Sequence, residues 1–352
     1  MRRKWLKGAL WVLLTPIILF VILMILLYVP PVQNFIRKQA TAIASDATGM
    51  NISVERIDLR FPLNLLVRGV QVVQSENDAV DMQHPDTLLN LGSLNVRVQA
   101  WPLLQGRVEV DDITLQQVAV NSSTLLEGMH IKGTLGRFFL ESHGIDLKKE
   151  NAVLNSVELS NTHVQVILAD TAEAPKDTVE TALNWRIALH NLKLKNVSVD
   201  LQMPLDSMTL AANIGDASIE DANADLKRQF YGWRKFALTG TAVNYDSGTA
   251  APVEGFDASH IALRDIRIGI DSVMFCGRDM NAVIREFSMY DRSGLTVTSL
   301  TGRLFADSTL IRVPHLQLTT PHSEMNLTAQ TYWKLVDIPT TGRLSARFNA
   351  NI

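Results

Sequence analysis

"NLKLKNVSVDL", residues 191–201, poses the problem that the rest of the chain repeats. Its apolar residues are Leu192, Leu194, Val197, Val199 and Leu201, spaced two, three, two and two. A helix repeats every ~3.6 residues and a plain strand every ~2, so this stretch fits neither. The unit apolar-x-apolar-x-x-apolar-x-apolar returns at Ile113/Leu115/Val118/Val120 and Ile261/Leu263/Ile266/Ile268. It returns less cleanly at Leu65/Val67/Val70/Val72, and at Val157/Leu159/Thr162/Val164 with Thr in third place. Three copies have a second break just upstream: Val110 before Ile113, Leu154 before Val157, Leu189 before Leu192.

A two-residue insertion keeps the apolar side chains on one face if the chain reverses there. In a two-residue hairpin, i and i+3 pair across the strands and share a face. Arg68–Gly69, Ser160–Asn161, Lys195–Asn196 and Arg264–Asp265 are the expected turns, each with Gly, Asn or Asp second, residues that tolerate positive φ. Gln116–Gln117 does not fit that rule. The two breaks of a pair lie too close together for two hairpins, so one of each is expected to be a strand-bending bulge. Leu192, Leu194, Val197, Val199 and Leu201 then line one face, and Lys193, Ser198, Asp200 and Gln202 the other.

Plain alternation fills the intervals, as in "NISVERIDLRF" (51–61), "SLNVRVQA" (93–100) and "LSARFNANI" (344–352). The chain therefore reads as mainly β: an elongated, curled antiparallel sheet with one apolar and one wet face. Roughly twenty-odd strands at about 4.8 Å each would extend on the order of 100 Å. The irregular starts at 65, 113, 157, 192 and 261 rank a parallel β-solenoid behind this, and a sandwich is the other way to cover the apolar face. "ADLKRQFYGWRKF" (224–236) is the best helical exception after residue 49.

The N-terminus is of another kind. Residues 1–8 carry Arg2, Arg3, Lys4 and Lys7 and no acid. Residues 9–29, "ALWVLLTPIILFVILMILLYV", are uncharged and as a helix would span about 31 Å, the thickness of a bilayer core. The run is long for a cleaved signal, and "PPVQNF" is a poor cleavage site, so a retained transmembrane helix is expected. The four basic residues place residues 1–8 in the cytoplasm. Residues 30–48 read as an amphipathic helix with Val32, Phe35, Ile36, Ala40, Ile43 and Ala47 on one face, plugging the end of the sheet. Residues 49–352 form the β domain beyond the membrane.

Apolar residues make up 47% of the 352, which excludes a mostly disordered chain. The first eight residues hold 4 of the 33 Lys+Arg and none of the 36 Asp+Glu, leaving 29 against 36, or −7. No nucleic-acid partner is expected of such an acidic domain. The single cysteine, Cys276, reads as a small core residue and makes neither an intramolecular disulfide nor a Cys-pair metal site. The eight histidines are scattered, with His163, His190 and His260 at polar positions beside strands where a solvated side chain is expected. Asp111–Asp112 fits a bulge or turn. No nucleophile-elbow, phosphate-loop or metal-ligand motif occurs, so no enzyme, cofactor or metal is expected.

The basic start, the single span, "YVPPVQNFIRKQATAIASDATGMNISVERIDLRFPLNLLVRGVQVV" (28–73) and "LNVRVQAWPLLQGRVEVDDITLQQVAV" (94–120) together resemble the N-terminal part of the AsmA-like/TamB family. The "WPLLQG" link, 101–106, is the most specific element, and the likeness covers roughly residues 1–200. The resemblance implies a bacterial inner-membrane anchor and a periplasmic β-taco with an apolar interior. It implies phospholipid as cargo and an Omp85-type outer-membrane protein as a partner in envelope biogenesis. TamB-like members are much longer, so a chain continuing beyond residue 352 is expected. The expected groove lining is Leu65, Val67, Val70, Val72, Ile113, Leu115, Val118, Val120, Val157, Leu159, Val164, Leu192, Leu194, Val197, Val199, Ile261, Leu263, Ile266 and Ile268. Three functions compete: a phospholipid conduit, a scaffold for outer-membrane barrel assembly, and a plain sandwich core.

Overall fold

The computed structural model describes residues 30–60, 63–74, 87–99, 102, 109–122, 128–146, 149–168, 184–332 and 345–351. The expected tail with Arg2, Arg3, Lys4 and Lys7, the expected span 9–29 and most of the 101–106 link lie outside them. Among the described residues no helix is long and apolar enough to cross a membrane.

Helix α1 covers Pro30–Thr48. Sixteen strands follow: β1 Asn51–Arg60, β2 Asn64–Val73, β3 Thr87–Val98, β4 Val110–Asn121, β5 Met129–Asp146, β6 Asn151–Leu168, β7 Arg186–Met203, β8 Met208–Asp225, β9 Phe230–Ser247, β10 His260–Cys276, β11 Asp279–Asp291, β12 Thr296–Val297, β13 Ser299–Ala306, β14 Leu310–Thr319, β15 Glu324–Tyr332 and β16 Ser345–Asn351. All belong to one open, curled sheet in which fifteen strands stand in chain order and β12 pairs β11. This excludes a sandwich for the described residues. It excludes a solenoid too, since one neighbouring pair alone, β6–β7, is parallel. That pair is an exception the alternation did not foretell.

Among the described residues the strands are fewer and longer than expected. Five of them, β5 to β9, run 18 residues each. Fifteen strands in file extend about 67 Å along the sheet at ~4.8 Å per interval. Residues 224–236 are not helical: β8 ends at Asp225, whose Oδ1 accepts the Arg228 amide at 3.0 Å, and β9 starts at Phe230. The local turn and the alternating Phe230 and Gly232 outweigh the charged run.

Helix α1 does meet β1, but Phe35, Ile43 and Ala47 of the expected face stay exposed. Phe35 and Ile43 are 61% and 65% exposed. The helix instead turns Gln33, Arg37 and Ser45, four and eight residues apart, toward the strand edge. Gln33 Nε2 donates to Leu59 O at 3.2 Å, Arg37 Nη1 to Glu55 O at 2.6 Å and Val54 O at 3.4 Å, and the Ile52 amide donates to Ser45 Oγ at 3.1 Å. The reason is that β1 is an edge strand, and its free carbonyls and amide need polar partners more than its side chains need apolar ones.

Candidate functional site: the apolar face of the sheet

The chain does not reverse between Leu194 and Val197. Leu194 pairs with Ala217 and Val197 with Ile214, both in β8, and β7 runs on. Asn196 takes φ 51°, the left-handed conformation, inside the strand. Gly69 (φ 60°), Asn161 (51°) and Asp265 (51°) do the same inside β2, β6 and β10, and so does Gln117 (55°) inside β4. None of the expected hairpins reverses the chain: each is a left-handed kink inside a continuous strand, termed a bulge below, and the pairing register itself shifts only at Asp265.

The bulges are aligned, which is why the strands survive them. Arg68 pairs with Ser93 and Val70 with Leu91, so Gly69 lies beside Gly92. By the same register Gly92 lies beside Gln117, Gly136 beside Asn161, and Asn196 beside Gly215. A lone bulge would displace the register by one residue and flip every later side chain. Bulge matched against extra residue cancels the slip. The matching requires close backbone approach. A Cβ on Gly136 would stand 2.8 Å from Asn161 Cβ and 2.9 Å from its carbonyl oxygen, and one on Gly215 2.7 Å from Gly240 O. The sequence named Gly69, Asn161, Asn196 and Asp265 as tolerating positive φ but not Gln117, Asp221 or Ser272, and it gave no sign of these glycines, whose signal is a Gly placed one strand away rather than a local motif.

The upstream breaks form a second, polar lane. Leu154 pairs with Leu189, and Leu189 with Ala222, leaving His190 beside Asp221 (φ 51°). His190 Nδ1 lies 2.9 Å from Asp221 Oδ1, and Arg234 reaches Asp221 Oδ2 at 2.7 Å and Glu220 Oε2 at 2.5 Å. His190 first, then Arg234, hold the Asp221 carboxyl below the usual carboxylate range. Asp112 is buried and paired with Arg97 at 2.9 Å, and Asp111 accepts from Gln99 at 2.6 Å, at the bulge expected there.

With the bulges in register, the predicted lining falls into rows across the sheet. Leu65, Ile113, Val157 and Leu192 stand in one row, joined through Val96 and Leu140. Val67, Leu115, Leu159, Leu194 and Ile268 form the next, through Leu94, Phe138, Ala217 and Leu238. Beyond the bulge lane, Val70, Val118 and Val197 share a row with Leu91, Leu135, Thr162 and Ile214, and Ile266 extends it beside Thr241. Val72, Val120, Val164, Val199 and Leu263 make the fourth, through Leu89, Gly133, Ala212 and Val243. Ile261 lies one row further, against Tyr245.

With Val54 and Ile57 of β1 beside Val70 and Val67, this surface, lined mostly by branched aliphatics, runs over ten strands, and its middle is the best shielded. Val197 and Ile266, beside the bulge lane, are 6% and 5% exposed, whereas Val120 and Val199 one row out are 40% and 37% exposed. Among the described residues every strand belongs to this one sheet, so no second sheet covers the face. No large side chain is completely buried there.

Other sequence candidates lie elsewhere. His163 contacts Ser198 Oγ at 2.8 Å on the wet face, and His190 is also exposed. His260 is not solvated as expected: it is buried, with Nδ1 2.8 Å from Asp257 Oδ2, because the 249–259 loop folds back over it. Cys276 ends β10 half-buried, its thiol 3.7 Å from Arg228 O, and is not a core residue. No cluster among the described residues would hold a metal ion. Compared with protein-family models and with curated proteins, the chain matches none.

Proposed function

We propose that this chain is a phospholipid conduit, anchored in the bacterial inner membrane through residues 9–29 and extending into the periplasm. The observation that carries this reading is an apolar face continuous across ten strands, over which no second sheet lies among the described residues. A sixteen-carbon acyl chain in water costs about 12 kcal/mol, at about 0.8 kcal/mol per CH2. A face of near-uniform Val, Leu and Ile side chains offsets most of that at each successive position. It offers no charge or deep pocket to trap the lipid at one place. The headgroup stays wet beyond the strand ends. No catalytic step is involved.

The resemblance to AsmA-like/TamB proteins points the same way. An assembly scaffold engaging an Omp85-type partner is the alternative it leaves. Photo-crosslinking separates them. A photoreactive residue at Val120 or Val199, with Lys193 and Arg267 as wet-face controls, is activated in membranes and the adducts are weighed. Phospholipid adducts on the apolar face alone are expected. Protein adducts without lipid would favour the scaffold, and no adduct at either apolar position would refute the conduit.

A further inference from the structure

The wet face of β1–β5 holds a feature that the conduit does not use. Three neighbouring rows of this face bring together Arg60 beside Asn64, Asn95 beside Thr114, and Arg68, Ser93, Gln116 and Arg137. They line a concavity of about 400 Å³, and among the described residues no carboxylate lines it. In a domain with an excess of acids, that sign is the reverse of the average.

Two kinds of unmet demand converge there. Arg56, Arg97 and Arg137 nearby each face a carboxylate: Asp58 at 2.6 Å, Asp112 at 2.9 Å and Glu158 at 3.8 Å. Arg60 and Arg68 have no such partner among the described residues, so two guanidiniums stand unneutralised at the concavity. The Oδ1 atoms of Asn64 and Asn95 are out of contact with solvent and have no hydrogen-bond donor among the described residues. A buried acceptor without a donor is uncommon and costly. The guanidiniums ask for an anion with planar or tetrahedral oxygens, and the carboxamide oxygens ask for O–H or N–H groups. One small molecule meets both demands when it carries a phosphate and a donor a few bonds away.

We propose that this concavity binds a phosphate ester bearing hydroxyl or ammonium donors. Arg60 and Arg68 supply the charge for the phosphate, and the carboxamides of Asn64 and Asn95 turn toward the concavity to accept from the neighbouring donors, exchanging a buried acceptor with no partner for a hydrogen bond. The volume suits a glycerol phosphate or a headgroup of that size. The site lies on the face opposite the apolar rows, so it stands or falls independently of lipid passage.

The test uses the full-length protein in a maltoside detergent, titrated calorimetrically with glycerol 3-phosphate, inorganic phosphate and glycerol. Glycerol 3-phosphate is expected to bind saturably and more tightly than phosphate, and glycerol not at all. The double variant Arg60→Gln/Arg68→Gln is expected to weaken glycerol 3-phosphate about tenfold or more. Asn95→Leu is expected to remove the preference for glycerol 3-phosphate over phosphate. Repeating the titration in phosphatidylcholine nanodiscs, with and without phosphatidylglycerol, identifies the source. Competition by phosphatidylglycerol assigns the site to bilayer headgroups, and unchanged binding assigns it to a soluble ester. Absence of saturable binding, or equal binding by the double variant with its far-UV circular dichroism unchanged, would overturn the proposal.

Discussion

Replacing Gly215 by alanine tests the aligned-bulge lane directly. The added Cβ would stand 2.7 Å from Gly240 O, 3.0 Å from Thr239 O and 3.2 Å from Gly240 C. All three are backbone atoms fixed in the β8–β9 ladder, so no side chain can swing away. Restoring ordinary contact at 3.4 Å from 2.7 Å needs a shift of roughly 0.7 Å, and overpacking of this kind costs about 1–3 kcal/mol. Alanine's advantage over glycine in a strand returns about 0.5–1 kcal/mol. The net is a loss of up to about 2.5 kcal/mol, centred near about 1 kcal/mol, which raises local opening roughly 5-fold. Gly269→Ala in β10 is the control, because its Cβ would meet nothing nearer than 3.5 Å. That change is expected to be neutral or stabilising by about 0.5 kcal/mol. A sheet of serial strands does not unfold in one step, so the assay is native-state hydrogen exchange resolved by peptide. Amides of β8 and β9 should lose protection in Gly215→Ala while those of β14 and β15 keep theirs. Equal protection in the two variants would refute the claim that the lane depends on glycine at this crossing.

Val199→Asp places a charge on the apolar face at a position 37% exposed, so the fold should hold while lipid transfer between donor and acceptor vesicles falls at least severalfold. Arg37→Ala removes the bonds from α1 to the Val54 and Glu55 carbonyls and should cost about 1.5 kcal/mol, read as faster proteolytic cleavage within residues 30–50. The Asp257 carboxyl is held low by the Val253 amide above all, then by His260 and the Ser259 amide. Its contribution is complete above the unfolded value of about 3.9 and is lost as pH falls through the lower folded value, so exchange in 249–259 should rise in that acid window alone.

The apolar rows were legible because a two-residue period with a three-residue hitch has only a few readings, and each puts Leu192, Leu194, Val197 and Val199 on one side. The choice between hairpin and bulge was not legible. Both satisfy the same-face rule around Asn196, and both favour a residue that accepts positive φ. What decides is Gly215, nineteen residues on, which leaves room for the neighbouring backbone. Gln117 shows the converse, since it enters the left-handed region without any turn propensity because Gly92 and Gly136 flank it. The parallel β6–β7 pair left no mark in alternation, which is the same for either direction. Burial of His260 depends on Asp257 closing a loop, and no periodicity reports that. The polar concavity escaped notice because Arg60, Asn95 and Arg137 meet only through the register of four strand pairs.

Strand order equal to chain order has a consequence for how such a molecule is made. Apart from β13, which pairs β11 past the short β12, each strand finds its partner in the strand that left the ribosome just before it, so assembly proceeds by accretion at one growing edge. Nothing needs to wait for a distant segment, and the sheet at every stage is a shorter version of the final one. Length then becomes an adjustable quantity: adding or deleting a hairpin changes the span by two strand widths and leaves the contacts of the others as they were.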